Sequence, residues 1–139
     1  MRQYIAFLRG INVGGHRVKM NRLGELFEEL GLSNVSTFIA SGNVIFWTDS
    51  EDVEALRDQI ERHLYQALGY EVATFLRSSC QLDEIASYQA PDLEEEVASD
   101  RSVYVILLHS PASEAMCSSF DGLRTDMDEF VVSGTEIYW

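Results

Sequence analysis

The amino-acid sequence predicts an α+β protein built from short strands and amphipathic helices. Its 139 residues are the length of one domain with a small appendage. The hydrophobic fraction of 46% and the charged fraction of 24% are ordinary for a globular chain. No apolar run approaches the roughly 18–20 residues that span a bilayer, and the N-terminal apolar stretch is too short for a signal peptide. We therefore expect a cytoplasmic protein without a membrane segment.

The first predicted element is a strand from Tyr4 to Leu8, in which every residue is apolar. Continuous apolarity is typical of a strand in the middle of a sheet or covered on both faces. A glycine-rich loop follows at residues 9–17. A helix comes next, because Asn21 is a favourable N-cap, apolar residues follow it at helical spacing, and Gly31 is a natural C′ residue.

Two more strands come next, and Ser41-Gly42-Asn43 between them is typical of a hairpin. A capping box at residues 48–51 then opens a second helix with one apolar stripe, and Gly69 ends it. A fourth strand follows this helix. These three strands are predicted at 35–40, 44–47 and 70–76.

The resulting order is strand, helix, strand, strand, helix, strand, which is the order of the ferredoxin-like βαββαβ plait. Right-handed crossovers interleave the two halves of such a chain into an antiparallel sheet with both helices on one face. We therefore predict this ferredoxin-like α+β domain at residues 1–78. A smaller mixed αβ extension is predicted at 79–139, packed on the first sheet or continuing it.

The extension is predicted from shorter patterns. Ser78-Ser79-Cys80-Gln81 resembles a capping box, Val103 to Leu108 is an apolar strand, and Ser110-Pro111 starts a short helix with Pro at its first position. A final hairpin folds around residues 133–135. Because termini are usually exposed and Trp139 is an apolar strand residue, we expect the sequence to be a piece of a longer protein.

The chain is strongly acidic, with a formal net charge of −13 from 23 acidic and 10 basic side chains. Nucleic-acid affinity comes largely from clustered Lys and Arg that neutralise phosphates, so we do not expect nucleic acid as a partner. RNA-recognition modules with this plait stack bases on strand aromatics, for which Tyr4, Phe7, Phe46 and Trp47 are the candidates. Their RNP1 pattern is absent here. The charge is interpreted as a bias towards solubility, with a salt-adapted host or an acidic docking face as alternatives.

No pattern identifies a catalytic residue or a metal centre. Cys80 and Cys117 form no CxxC pair and are expected as reduced thiols, and His16, His63 and His109 are scattered without metal-ligand spacing. No G-x-S-x-G nucleophile elbow occurs. We predict neither a metal nor a cofactor, and the sequence leaves any enzymatic activity and its catalytic residues unassigned.

The predicted topology brings two polar loops to one end of the sheet, because the third strand returns antiparallel beside the first. There, glycines let backbone N–H groups converge, a helix N-terminus adds partial positive charge, and Arg9 can donate a fork of hydrogen bonds to phosphate or carboxylate. His16 could serve as an acid or base. We predict a binding site for a small anionic ligand, formed by Arg9, Asn12, Gly14, Gly15, His16, Lys19, Ser41, Gly42 and Asn43.

These residues also have structural interpretations that the sequence leaves open. The glycines can simply turn the chain, Asn12 can organise its own loop, and Arg9 can pair with an acid of the helix. The spacing of the glycines matches neither common nucleotide-binding signature. The alternative function is an interaction or self-association module without a ligand, because sheets of this class have edges that can pair. RNA binding on the sheet face ranks third.

Residues 8–16, Leu-Arg-Gly-Ile-Asn-Val-Gly-Gly-His, with Ser41-Gly42-Asn43-Val44 downstream, resemble a mostly bacterial family called domain of unknown function 1697. The resemblance extends through 26–31 and 37–46 and is clearest over about the first 80 residues. It implies a ferredoxin-like α+β fold, but no catalytic residues, since the family carries no established activity. Members usually continue beyond the last strand with Gly-Arg-Ser-Lys-like and Arg-Asn-Trp-like segments. This sequence lacks both, so it would hold only part of any site that they complete.

Overall fold

The computed structural model describes residues 1–12, 15, 17–38, 42–87, 104–122 and 131–138. Within these ranges it contains four helices and seven strands, and both sheets are antiparallel, which confirms the α+β class. The chain divides into two compact units, Met1–Ala86 and Ser87–Trp139. Each unit is described by itself, and the predicted boundary after residue 78 stays a prediction.

The first unit has the predicted element order, followed by a third helix. Its four strands pair in the order β2-β3-β1-β4, and every neighbouring pair is antiparallel. Strand β1 is therefore central, with β3 on one side and β4 on the other. The elements are β1 (Arg2–Arg9), α1 (Met20–Glu28), β2 (Ser33–Phe38), β3 (Asn43–Thr48), α2 (Val53–Leu68), β4 (Ala73–Ser78) and α3 (Ser79–Ser87).

The core of this unit lies between one face of the sheet and two helices. Residues of β1 alternate in burial, so that Tyr4, Ala6 and Leu8 face the core. Phe46 of β3 has no exposed surface, stacks on Tyr4 with ring centroids 6.2 Å apart, and meets Phe27 of α1 at 5.7 Å. Both α1 and α2 thus cover the same face of the sheet. Their buried residues are Leu23, Leu26 and Phe27 in α1 and Leu56, Ile60 and Leu64 in α2.

Helix α1 begins one residue before the predicted cap. Lys19, not Asn21, is the N-cap residue, and its side chain makes no capping hydrogen bond. The preceding loop instead directs the chain into the helix, because Asn12 Oδ1 accepts a hydrogen bond from Val18 N at 2.9 Å. The prediction of Asn21 as the cap is therefore wrong.

Helix α2 is capped by one side chain and ended by one glycine. Asp52 Oδ1 accepts from Ala55 N at 3.0 Å, so the cap lies just after the predicted box at residues 48–51, which is a correction of that prediction. At the other end, Gly69 adopts a left-handed φ of 82°, as predicted for a C-terminal glycine.

The predicted capping box at the start of α3 is confirmed. Ser78 N donates to Gln81 Oε1 at 2.8 Å, and Gln81 N donates to Ser78 Oγ at 3.1 Å. Two backbone donors that no helical carbonyl can reach are satisfied reciprocally. This local exchange explains how the strand β4 turns directly into a helix.

Both edges of the first sheet carry devices that oppose pairing with another chain. The register of β2 against β3 shifts between Ser33 and Ser36, and Asn34 has a positive φ of 49° within this bulge. On the opposite edge, Thr74 N of β4 donates to Glu61 Oε1 of α2 at 3.0 Å. At these positions the edge strands do not offer a regular row of free backbone groups.

The second unit contains a three-stranded sheet of order β5-β7-β6, with the helix α4 (Glu114–Asp121) between β5 (Val105–Leu107) and β6 (Val131–Ser133) in the chain. The predicted hairpin around residues 133–135 is confirmed by the pairing of β6 with β7 (Glu136–Tyr138). The predicted start of the helix at Ser110-Pro111 is wrong. The hydroxyl of Ser113 accepts from Met116 N at 3.2 Å and moves the start beyond the proline.

Replacing Phe46 by alanine is expected to destabilise the protein by about 3–5 kcal/mol, because it leaves a cavity between the sheet and α1. Urea denaturation followed by circular dichroism measures this change. Tyr65→Ala on α2, where the side chain is 53% exposed, is the control and is expected to change stability by no more than about 0.5 kcal/mol. Equal effects of the two substitutions would contradict this account of the core.

An ion-pair network joins the end of α1 to α2. Glu29 contacts His63 Nε2 at 2.8 Å through one carboxylate oxygen and Arg22 at 3.1 Å through the other, and Arg22 also reaches Glu25 at 3.3 Å. The hydrogen bond from His63, then that from Arg22, hold the pKa of Glu29 below its ordinary value. Ionised Glu29 thus favours the folded state.

Because the folded pKa of Glu29 is depressed, its contribution is present above its unfolded pKa and is lost as the pH falls through the folded pKa. We expect Glu29→Gln to lower the urea midpoint at pH 7, and the difference from the parent protein to shrink as the pH drops below 4.5, the ordinary value. Glu28→Gln, an exposed neighbour with the same change in charge, is the control. A pH-independent difference would show that the effect of Glu29 is not electrostatic.

Candidate functional site

The end of β1 and the start of β3 lie side by side. Phe7 is paired with Asn43 across the two strands, and Leu8 N donates to Gly42 O at 3.2 Å. The loop after the first strand and the hairpin turn therefore begin at the same end of the sheet. Arg9, Gly42 and Asn43 are brought together in this way, whereas Gly14, His16 and Ser41 lie outside the described residues.

Gly42 serves the packing of this end of the sheet. A Cβ at this position would lie 2.5 Å from Ile11 Cγ2 and 3.4 Å from Leu8 Cβ, and the backbone has a φ of 84°. Both the space and the left-handed conformation require glycine. The close approach of Gly42 to Ile11 of the first loop therefore explains why glycine stands at this position of the predicted site.

Two hydrogen bonds hold the first loop. One forms within the loop, and the other comes from Tyr70, which follows the C-terminus of α2. The hydroxyl of Tyr70 donates to Ile11 O at 2.8 Å, and burial raises the pKa of that hydroxyl. Ile11 is buried, and the side-chain Oδ1 of Asn12 accepts a hydrogen bond from Val18 N. Asn12 therefore organises the loop, which was the structural interpretation that the sequence left open.

Arg9 and Asn43 project from the face of the sheet opposite the two helices. Alternation along β1 places Arg9 with Ile5 and Phe7 on this face, and Asn43, directly opposite Phe7, shares it. Arg9 is exposed and forms no ion pair with any residue that the structure describes, so it is not tied to an acid of the helix. Asn43 is half-buried. These two side chains form the polar part of the candidate site.

Lys19 occupies a different place. It is exposed at the start of α1, and α1 covers the core face of the sheet, opposite the face that carries Arg9. Gly15 is also exposed and has a φ of 88°, which suits a turn in the loop. Among the described residues of the predicted set, Arg9 and Asn43 thus lie on one face of the sheet, and Lys19 lies at the start of the helix that covers the other.

The aromatic candidates for base stacking also divide between the two faces. Tyr4 and Phe46, with exposures of 4% and 0%, are core residues, so assigning them to an open surface is wrong. Phe7 and Trp47 lie on the other face, where the sequence analysis missed Phe38 and Phe75. In β1, Gln3, Ile5, Phe7 and Arg9 share this face. The polar residues at the two ends of that series, Gln3 and Arg9, are the sequence signal that could have distinguished the faces.

Across the described ranges, no three His, Cys, Asp or Glu side chains gather to hold a metal ion. In the same part of the chain, no helix is long and apolar enough to cross a membrane. Cys80 is an exposed free thiol and Cys117 a half-buried one. Self-association stays a prediction; Val105 and Ile106 on the edge strand β5 are 39% and 36% exposed.

The protein is thus of the α+β class with antiparallel sheets, and its candidate site lies where β1 ends and β3 begins. The chain belongs to the family described as protein of unknown function DUF1697, whose model matches residues 1–138. Its structure is similar to that of the conserved bacterial protein SP0830 from Streptococcus pneumoniae, with a TM-score of 0.72 and 21% sequence identity. The match covers all of this chain and 76% of that chain, and it shows the fold alone. No curated protein matches the sequence.

The substitution Gly42→Ala tests the contact between the loop and the turn. Gly69 has nearly the same φ, 82°, but open space around it, so Gly69→Ala should cost only the left-handed conformation, about 1–2 kcal/mol. Gly42→Ala should cost a further ~1–3 kcal/mol, because its Cβ meets Ile11. Chemical denaturation of both variants measures the difference. Equal losses would mean that Ile11 moves aside freely.

Proposed function

We propose that this protein binds a small anionic molecule, bearing phosphate or carboxylate, at the rim formed by Arg9 and Asn43 where β1 ends and β3 begins. Arg9 carries the proposal, since it is an exposed guanidinium without an ion pair among the described residues of a chain with 23 acidic side chains. A planar guanidinium donates paired hydrogen bonds that match phosphate and carboxylate oxygens.

Asn43 supports the proposal by its position. Arg9 is two residues along β1 from the partner of Asn43, a diagonal relation in which the two residues lie about 7–8 Å apart. The long side chain of Arg9 can span that separation, so a ligand oxygen between them could accept hydrogen bonds from both. An amide adds orientation without adding charge.

Hydrogen bonds next to Arg9 and Asn43 also favour a binding role. The strand ends that carry the two side chains are joined by the hydrogen bond from Leu8 N to Gly42 O. The loop that follows Arg9 is attached through Tyr70. The backbone that carries the two side chains is therefore ordered before a ligand arrives, which lowers the conformational entropy lost on binding.

Titration with ribose 5-phosphate, followed by calorimetry at constant ionic strength, tests this function. A hydrogen bond to a charged group contributes about 1.5–3 kcal/mol, so Arg9→Ala should weaken binding roughly 10- to 100-fold. Arg62→Ala, an exposed arginine on α2, makes the same change in net charge and should leave the affinity unchanged.

Two results would contradict the proposal. Ribose 5-phosphate, inorganic phosphate and citrate could all fail to bind the parent protein, in which case the rim is not an anion site. Alternatively, Arg9→Ala and Arg62→Ala could weaken binding equally, which would mean that the anion responds to total charge and not to the rim.

A further inference from the structure

A row of four residues crosses the whole sheet on the face opposite the helices. Phe38 of β2 pairs with Asn43 of β3, Asn43 pairs with Phe7 of β1, and Phe7 pairs with Phe75 of β4. Residues that are directly opposite in antiparallel strands project to the same side. The row, Phe38-Asn43-Phe7-Phe75, therefore sets one amide between aromatic side chains. We call it the aromatic row.

The aromatic row and the rim formed by Arg9 and Asn43 have Asn43 in common. Phe38 is the most accessible ring, with 59% of its surface exposed, while Phe7 and Phe75 are half-buried. Neighbouring strands are about 4.8 Å apart, so a ring lying on Phe38 would bring its edge to the amide of Asn43. Arg9 lies two residues beyond Phe7, about 7 Å along β1.

We infer that the anion bound at the rim carries a planar heteroaromatic ring, as a nucleoside monophosphate does. This inference rests on the proposed function and names the class of ligand. The ring stacks on Phe38, its polar edge meets Asn43, and the phosphate reaches Arg9. The exposed ring of Phe38 offers a stacking surface that suits a planar base and is not needed for a simple anion.

The electrostatics favour a single nucleotide over a nucleic-acid strand. Polynucleotide binding depends on several cations along the backbone path. Among the described residues of the sheet on this face, Arg9 is the exposed cation, since Arg77 is only 6% exposed and donates to Leu76 O at 2.9 Å. One guanidinium in a chain of net charge −13 suits one phosphate group.

Three probes separate the contributions of the ring and the anion: adenosine 5′-monophosphate, ribose 5-phosphate and adenosine, each titrated by calorimetry. Stacking of a base on an aromatic side chain strengthens binding roughly five- to hundredfold. The monophosphate should therefore bind at least fivefold tighter than ribose 5-phosphate. Phe38→Leu should remove that advantage and leave the affinity for ribose 5-phosphate unchanged.

Tyr65→Leu is the matched control, because Tyr65 is an aromatic residue of similar exposure, 53%, on α2. It should affect none of the three probes. Because Phe38 is largely exposed on an edge strand, the leucine variant is expected to fold, and an unchanged thermal midpoint verifies this. Proton NMR adds a direct readout, since stacking shifts the base resonances upfield and Phe38→Leu should abolish that shift.

The outcomes distinguish the two proposals. Equal affinities for the monophosphate and ribose 5-phosphate, both reduced by Arg9→Ala, would overturn the aromatic inference and leave the anion site standing. Binding of adenosine together with no binding of ribose 5-phosphate, and no effect of Arg9→Ala, would overturn the anion site. An oligoadenylate that binds tenfold tighter per molecule than the monophosphate would overturn the choice of a single nucleotide.

Discussion

The antiparallel pairing of β1 with β3 is the constraint on which the rest of the first unit depends. It stacks Tyr4 on Phe46 on the core face and thereby fixes the surface that α1 and α2 cover. The same pairing places Phe7 beside Asn43 on the other face. Because successive strand residues alternate between faces, one register determines both the core and the candidate site.

The polar groups at this end of the sheet have separate tasks. Asn12 stabilises the loop from within, Tyr70 donates to it from the segment after α2, and Gly42 allows the turn to contact Ile11. Arg9 contributes to none of these described contacts, and its exposed charge is what the scaffold presents to solvent. An exposed guanidinium at the end of a paired strand, without an ion pair among the described residues, is a physical basis for recognition, because the backbone that carries it is ordered before a ligand binds.

The two faces of the sheet differ in the residues that they carry. On the core face, Tyr4, Ala6, Leu8, Val44 and Phe46 are all buried. On the other face, rings alternate with an amide across the strands, and an arginine ends β1. In a strongly acidic chain, long-range repulsion opposes anionic ligands, so any recognition must come from short-range contacts with these few groups.

The sequence alone determined the order of the elements, the glycine that ends α2, the reciprocal cap of Ser78 and Gln81, and the last hairpin, because each depends on residues close together in the chain. The tertiary structure decided which face of β1 is buried and which polar groups remain available. Tyr4 to Leu8 is apolar at every position, so alternation within the run does not assign its faces, and only the flanking polar residues Gln3 and Arg9 point to the less buried one. The register with β3 fixes which residues of the two strands share each face, and register depends on long-range pairing that no local pattern specifies.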